Sequence, residues 1–209
     1  QKYVKEAFDT NWVVPLGPNV NGFEDDLKAF VSKNSDGTDL QKEVVALSAG
    51  TAAVHLALLA CGVGPGDEVC VQSFTFCASS HPITYLGATP VFIDSEPNTW
   101  NMDPELLEKA IIDRKEKTGK YPKAIVPVAL YGMPYDCDRI MAIADKYGIP
   151  VVEDAAEGFG SRYKGQVLGT FGKFGVLSFN GNKMITTSGG GALICNDAES
   201  KNQVMWYAT

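Results

Sequence analysis

From residue 44 onward, short runs rich in valine and isoleucine alternate with longer segments that have the apolar spacing of helices. The short runs predict seven strands, at residues 44–48, 67–73, 89–95, 124–130, 150–155, 175–180 and 190–196. The longer segments predict helices at 51–61, 76–86, 104–112 and 136–147. Almost continuously apolar strands joined by helices are typical of a parallel sheet covered on both faces. The predicted fold class is therefore α/β, with a mostly parallel seven-stranded sheet.

Capping and turn residues support these element boundaries. Asp103 and Pro104 provide an N-cap and a first-turn proline for the third helix. Gly148 and Pro150 follow the fourth helix and end it. Residues 158–172, between two of the last predicted strands, are the main loop-rich zone.

Both ends of the chain have the pattern of interrupted helices. The first residues, QKYVKEAFDTNW, resemble the middle of an amphipathic helix, and the last, ESKNQVMWYAT, resemble a helix without a C-cap. The 209 residues are enough for one sizeable core, so we expect one large globular domain. We also expect this domain to be a piece of a longer protein.

The composition narrows the classes of function. A formal charge of −7 and a pI near 4.8 argue against a nucleic-acid-binding groove. No window approaches the roughly 18 apolar residues of a membrane span, and we expect no signal peptide. Five cysteines without a CxxC pair fit the reduced thiols of a cytoplasmic protein. The two histidines, His55 and His81, lack the spacing of metal ligands, so we expect no metal site.

Candidate binding residues stand at the carboxyl ends of the predicted strands, where ligands bind in open α/β sheets. SAGTAA (48–53) ends a strand and opens a helix, whose free N–H groups favour an anion, although an ordinary Ser/Thr N-cap fits equally well. Asp154, in VVEDAAEG, needs a partner if it is buried, either a cationic ring nitrogen or backbone amides. Phe76, in SFTFCASS, is a candidate to stack on a flat ligand, although burial tendencies favour a core role.

Lys183 discriminates best among these candidates. It lies in SFNGNKMITTSGGGA (178–192), between an apolar strand and three glycines. Most lysines are solvated, but a lysine in a desolvated pocket is a nucleophile that forms Schiff bases. An anion cradle, an aromatic ring, a carboxylate and a lysine together match what pyridoxal phosphate requires for its phosphate, ring, ring nitrogen and aldehyde. The combination predicts a pyridoxal phosphate site.

Two long stretches, 48–94 (SAGTAAVHLALLACGVG…) and 153–197 (EDAAEGFGSRYKGQVLG…), resemble the DegT/DnrJ/EryC1/StrS family of sugar aminotransferases, as does PLGPNVNGFEDDLKAF at 15–30. The resemblance implies a fold-type I aminotransferase in which residues 1–209 are the large cofactor domain, without the small C-terminal domain. It further implies a homodimer with active sites at the subunit interface. The reaction implied is transfer of an amino group from glutamate to a nucleotide-linked keto sugar, and without the second domain we expect weak or no turnover.

The resemblance also assigns roles to individual residues. It implies that Lys183 attaches the cofactor covalently, that Asp154 pairs with the ring nitrogen and that Phe76 stacks on the ring. The implied phosphate-binding positions are Gly50, Thr51, Ala52 and Ser178. Glu157 stands where many relatives carry Gln or His near the cofactor's 3-hydroxyl, and its role is left open. EDAAE and SFNGNK are most similar to the branch that acts on UDP-linked, N-acetylated 4-keto-6-deoxy sugars for surface polysaccharides.

Three other classes of protein compete with this interpretation. A sugar dehydratase on the same scaffold carries histidine at the lysine position, which is Lys183 here. A non-catalytic or regulatory protein that keeps the cofactor pocket remains open. A Rossmann-type dehydrogenase is excluded because no GxGxxG follows the first strand.

Overall fold

The computed structural model describes residues 1–12, 14 and 16–209. Val13 and Pro15 lie outside the described residues. Pro15 is the first residue of the motif at 15–30, so that motif is described only from residue 16 onward. The strands are β1 (Glu43–Leu47), β2 (Glu68–Gln72), β3 (Thr89–Ile93), β4 (Ala124–Val126), β5 (Val152–Asp154), β6 (Arg162–Tyr163), β7 (Gln166–Val167), β8 (Phe174–Ser178) and β9 (Gly191–Cys195). The α-helices are α1 (Lys2–Asp9), α2 (Pro18–Val31), α3 (Gly50–Ala60), α4 (His81–Tyr85), α5 (Pro104–Thr118), α6 (Cys137–Tyr147) and α7 (Ala198–Ala208).

Seven of the strands form one sheet in the order β1-β9-β8-β5-β4-β2-β3. The pairs β5–β8, β2–β4 and β2–β3 are parallel. Two parallel bridges, Ile125 with Val151 and Val128 with Asp154, join the four-stranded half to the three-stranded half. Strand β9 runs antiparallel to both β1 and β8. The predicted mostly parallel, seven-stranded sheet is confirmed.

Both faces of the sheet are buried by helices. Successive strand residues point to opposite faces, and strand β4 shows the result. Ile125 lies in a core shared with α2, α5 and α6, whereas its neighbours Ala124 and Val126 lie in a second core shared with α3, α4 and α7. Burial on both sides explains why the strands are continuously apolar rather than alternating in sequence.

The helix predicted at 76–86 is wrong in its first half. A short 3₁₀ turn, Cys77–Ser79, precedes α4, and Pro82 stands in the first turn of that helix. Pro82 has no N–H, so it cannot donate a backbone hydrogen bond to the preceding turn. The two turns therefore remain separate.

Helix α5 extends well beyond its predicted end at residue 112. The polar residues after Ile112 are mostly good helix formers. The helix ends where Gly119 takes the left-handed conformation, with a φ of 76°. Its N-cap is the predicted one, because the side chain of Asp103 accepts hydrogen bonds from the backbone N–H groups of Glu105 and Leu106.

The loop-rich zone at 158–172 contains the hairpin β6–β7 and is held down by a buried carboxylate. The side chain of Glu153, in β5, is fully buried. It accepts hydrogen bonds from the N–H groups of Gly169, Phe171 and Gly172 at 3.0, 2.6 and 2.6 Å. Burial raises the pKa of Glu153, and these hydrogen bonds offset part of the rise. Glu153 thus fixes the segment that leads into β8.

In the described part of the chain, none of the helices combines the length and the apolar character that crossing a membrane demands.

Candidate active site

A cavity of about 290 Å³ opens at the carboxyl edge of the sheet. Five strands supply a lining residue at or just after their ends: Ser48, Thr75, Val128, Asp154 and Ser178. The rest of the lining comes from the first turns of α3, from the segments after β2 and β5, and from the loop between β8 and β9. Because the parallel strands end at one edge, residues far apart in sequence meet there.

Seven of the eight predicted site residues line this cavity: Gly50, Thr51, Phe76, Asp154, Glu157, Ser178 and Lys183. Ala52 is in the same first turn of α3 as Gly50 and Thr51 but is not among the lining residues.

The start of α3 presents free backbone donors to the cavity. The N-cap is Ala49, which makes no side-chain capping bond, so the alternative of an ordinary Ser/Thr cap is wrong. The N–H groups of Gly50, Thr51 and Ala52 are in the first turn and have no partner within the helix. A Cβ on Gly50 would lie 3.0 Å from the Cβ of Ser178, so glycine lets the serine hydroxyl lie beside the helix start. These donors at the positive end of a helix fit a phosphate.

Asp154 provides a buried carboxylate at the end of β5. Its side chain is 6% exposed. Oδ2 accepts a hydrogen bond from Ser79 Oγ at 2.5 Å, and Oδ1 accepts one from the Ala156 N–H at 3.1 Å. Burial raises the pKa of Asp154, while these hydrogen bonds and the charge of Lys183 partly lower it. A carboxylate in this environment favours a cationic partner in the cavity.

Lys183 is not a solvated surface lysine. Its backbone N–H closes a turn by donating to the Asn180 carbonyl at 3.0 Å, and its side chain is 14% exposed. The ammonium Nζ donates to Glu157 Oε1 at 3.3 Å. The other carboxylate oxygen, Oε2, accepts the N–H of Tyr131 at 2.7 Å. Glu157 therefore holds the lysine and a neighbouring turn together.

The loop that carries Lys183 is anchored on Phe179. This residue follows β8 directly, and its side chain is 2% exposed. Its ring makes edge contacts with Phe23 and Phe159, at centroid distances of 5.3 and 5.7 Å. Its carbonyl accepts the backbone N–H of Thr187 at 3.0 Å, which returns the loop to the sheet. The lysine thus extends from a short, anchored excursion between two buried strands.

The three glycines after Lys183 serve different purposes. A Cβ on Gly191 would lie 2.3 Å from the carbonyl carbon of Ala49, so only glycine lets β9 pass the start of α3. Gly189 and Gly190 line the cavity. A Cβ on Gly189 would meet no atom within 4 Å. Close packing between two backbones therefore explains Gly191, whereas Gly189 and Gly190 border the cavity.

Aromatic side chains lie exposed around the cavity. Phe76 lines it and is 70% exposed, so the core role favoured by burial tendencies is wrong. Tyr131 is 82% exposed and has a left-handed backbone, with φ 51° and ψ 25°. Such a conformation costs an aromatic residue about 1–2 kcal/mol and is concentrated at functional sites.

Sequence reasoning missed one residue that contacts the site carboxylate. Ser79 is 1% exposed and donates to Asp154. The SFTFCASS motif contains this serine, but nothing in the motif indicates its partner. Ser79 follows β2 and Asp154 ends β5, and β4 lies between these two strands in the sheet. Among the residues that the structure describes, no three His, Cys, Asp or Glu side chains are grouped to hold a metal ion.

The model of the DegT/DnrJ/EryC1/StrS aminotransferase family matches residues 1–208 of the chain. The chain belongs to this family. It is 50% identical over 209 residues to the putative pyridoxal phosphate-dependent aminotransferase EpsN of Bacillus subtilis (strain 168), covering 100% of this chain and 52% of that protein. It is 44% identical over 195 residues to GDP-perosamine synthase of Caulobacter vibrioides, covering 93% of this chain and 48% of that protein.

A third relative has a different nucleotide in its name. The chain is 44% identical over 185 residues to the UDP-2-acetamido-2-deoxy-3-oxo-D-glucuronate aminotransferase of Pseudomonas aeruginosa, covering 88% of this chain and 47% of that protein. The chain spans about half the length of the curated relatives it matches.

Solved structures of the family share the fold. A DegT DnrJ EryC1 StrS aminotransferase from Brucella abortus superposes with a TM-score of 0.88 at 35% identity, covering 97% of this chain and 52% of that one. The PMP-form of the putative sugar aminotransferase Spr1654 from Streptococcus pneumoniae superposes with a TM-score of 0.81 at 32% identity, covering 97% of this chain and 53% of that one. The family's fold-type I architecture is confirmed.

Proposed function

We propose that this chain binds pyridoxal phosphate in the cavity at the carboxyl edge of the sheet. The whole protein would use it to transfer an amino group from glutamate to a nucleotide-linked keto sugar. One observation carries the proposal: Lys183, Asp154 and the first two residues of α3, Gly50 and Thr51, all line one cavity. An amine, an acid and an anion cradle are the three groups that this cofactor requires.

The donor set fits the cofactor part by part. The first turn of α3, with the hydroxyls of Thr51 and Ser178, would bind the phosphate. The exposed ring of Phe76 is available to cover one face of the flat cofactor. Asp154 would accept a hydrogen bond from the ring nitrogen and keep that nitrogen protonated. Pyridoxal phosphate bound there supplies an electron sink for bond cleavage at the amino-bearing carbon.

Lys183 has two tasks in this proposal. Its Nζ would hold the cofactor covalently until glutamate displaces it. The freed amine would then act as the general base that takes and returns the proton at the substrate carbon. Glu157 Oε1, 3.3 Å from Nζ in the structure, gives the displaced lysine a defined resting position near the reaction.

The substrate class rests on the relatives and is assigned to this chain only as a proposal. The relatives' names include GDP- and UDP-linked sugars. We propose that the acceptor is a UDP-linked, N-acetylated 4-keto-6-deoxy sugar. The aminated product would be used for surface polysaccharide or glycan synthesis, and the reaction would take place in the cytoplasm. A homodimer with shared active sites is part of the same proposal. Two exposed rings support it: Phe76 lines the cavity, and Tyr131 donates its backbone N–H to the cavity residue Glu157. Exposed apolar surface of this kind is commonly covered by a partner or a ligand.

Product analysis tests the function directly. The full-length protein is incubated with pyridoxal phosphate, glutamate and a panel of UDP-, GDP- and dTDP-linked 4-keto sugars, and the products are identified by mass spectrometry. We expect an amino sugar nucleotide and one 2-oxoglutarate per product. The variant K146A is a matched control, because Lys146 forms a surface ion pair with Glu108 at 2.7 Å and should not affect turnover.

The two alternative functions predict different products. A dehydratase would yield a sugar that has lost a hydroxyl group and gained no amino group. A non-catalytic protein would bind the cofactor and form no product. Either result with a complete substrate panel would contradict the proposed transamination.

A further inference from the structure

A buried hydroxyl stands behind the candidate cofactor acid. Ser79 and Asp154 are 1% and 6% exposed, and their hydrogen bond of 2.5 Å lies in the interior. Ser79 does not line the cavity. It comes from the 3₁₀ turn after β2, whereas Asp154 comes from the end of β5. The contact therefore joins two separate strand ends behind the site.

Thr75 extends this contact to the cavity. Its Oγ1 lies 2.8 Å from Ser79 Oγ, and Thr75 itself lines the cavity. An ionised carboxylate has no proton to donate. Ser79 therefore donates a hydrogen bond to Asp154 and accepts one from the hydroxyl of Thr75. Both hydroxyls of this chain then donate in the direction of the carboxylate, which favours the ionised form of Asp154.

The same chain can reverse. If Asp154 took up a proton, it could donate to Ser79, Ser79 could donate to Thr75, and Thr75 could donate to the Phe76 carbonyl, which lies 3.3 Å away. The direction of the hydroxyl chain is thus coupled to the ionisation of Asp154. The charged groups that face Asp154 are Lys183 and Glu157, and they have opposite signs.

We propose that Ser79 is the positioning residue of Asp154, and that the Thr75–Ser79 hydroxyl chain keeps this carboxylate ionised and directed at the cofactor's ring nitrogen. The ring-nitrogen part rests on the proposed function. Ser79 touches no ligand itself and acts through Asp154. The chain supplies part of the stabilisation that a buried acid otherwise lacks.

The first test uses the protein without cofactor. The free energy of unfolding is measured in urea across pH for the wild type, S79A and T75V, each with and without D154N. Ionised Asp154 loses stabilisation in S79A and T75V, so its folded-state pKa rises and the range over which stability falls with rising pH should extend to higher pH. In the D154N background neither substitution should move that range. T75V changes a half-buried side chain to one of the same shape and carries the test if S79A fails to fold.

Two controls separate the chain from local packing. T75S keeps the hydroxyl and should restore the wild-type pH profile. S80A removes a neighbouring hydroxyl that donates to the Cys77 carbonyl, and it should leave the profile unchanged. A profile for S79A and T75V that runs parallel to the wild type, displaced by a constant amount, would mean a purely structural role and would overturn the proposal.

The second test measures cofactor affinity by absorbance titration. We expect S79A to weaken pyridoxal phosphate binding about tenfold and T75V about threefold, as for hydrogen bonds that act on a charged group. S80A should bind like the wild type, and unchanged affinity in S79A would contradict the proposal. If the wild type itself bound no pyridoxal phosphate, the proposed function would fail, and the pH profiles alone would decide the role of Ser79.

Discussion

Lys183 and Glu157 form an ion pair inside the cavity, with Nζ 3.3 Å from Oε1. Their side chains are 14% and 27% exposed, so water screens the pair less than it screens a surface pair. The second oxygen of Glu157 holds the N–H of Tyr131, whose backbone is left-handed. One carboxylate thus fixes both the candidate nucleophile and a strained turn at the cavity.

Substitutions at Glu157 should separate these two contacts. E157Q keeps an oxygen for the Tyr131 N–H and loses the charge that attracts Lys183. We expect its free energy of unfolding to stay within about 0.5 kcal/mol of the wild type. E157A also leaves that N–H without its acceptor and should cost about 1–2 kcal/mol. Urea denaturation of the protein without cofactor measures both values.

Reactivity of the lysine gives a second measurement for the same pair. In E157Q, labelling of Lys183 by an amine reagent should change relative to Lys146, which serves as an internal reference. E108Q, which breaks the surface pair of Lys146, is the matched control variant. Equal loss of stability in E157Q and E157A, with unchanged labelling, would mean that Glu157 does not hold these two groups independently.

Gly191 should be far more sensitive to substitution than Gly189. In G191A the new methyl group would lie 2.3 Å from the Ala49 carbonyl carbon, and backbone would have to move. We expect a loss of about 3 kcal/mol, as for severe overpacking. G189A meets no atom within 4 Å and should cost less than about 0.5 kcal/mol. Similar thermal stability of the two variants would contradict the close approach of β9 to α3.

Glu153 should matter for stability although it does not line the cavity. Removing its side chain in E153A leaves two buried N–H groups, from 169 and 172, and a partly buried one, from 171, without their acceptor. We expect a loss of about 4 kcal/mol. E116A, at an exposed position in α5, should change stability by less than about 0.5 kcal/mol. A tolerant response to E153A would show that the loop does not depend on this carboxylate.

D154N should stabilise the protein without cofactor at neutral pH. Burial raises the pKa of Asp154, so the folded state binds its proton more tightly than the unfolded chain does. Its contribution to stability is therefore present below the unfolded pKa and is lost as pH rises through the folded pKa. Asparagine removes this loss, and Ser79 can accept from its amide by turning its hydroxyl.

This prediction is checked by measuring how the difference in free energy of unfolding between D154N and the wild type changes with pH. The stability difference between D154N and the wild type should grow from mildly acidic to neutral pH and then level off. Glu43 acts in the opposite sense, because the hydrogen bond from Lys28 lowers its pKa, but it is common to both proteins and cancels in the difference. A difference that shrinks as pH rises would contradict the burial of an ionisable group at this position.

The sheet could be predicted from the sequence because most of its strands are buried on both faces. Val44 and Val45, adjacent in β1, belong to opposite cores, and this double burial requires apolar residues in succession. Helix bounds were harder, since Pro82 splits one predicted helix and the end of α5 is set by the left-handed Gly119. Neither effect shows in apolar periodicity.

Individual site residues could be predicted from the sequence where a single reactive side chain follows or ends a single strand. Lys183 and Asp154 each follow an apolar run, and family resemblance connected them. Pairings across the sheet were not predictable, because they depend on strand order. The contact of Ser79 with Asp154 and that of Tyr131 with Glu157 are of this kind.

The central claim is that Lys183 and Asp154 serve one pyridoxal phosphate molecule. The most direct measurement is borohydride reduction of the full-length protein with pyridoxal phosphate, followed by mass mapping of the modified peptide. We predict that at stoichiometric cofactor the added mass lies on Lys183, that K183A loses it together with the visible absorbance, and that K146A keeps both. Modification of another lysine, or an undiminished signal in K183A, would contradict the account.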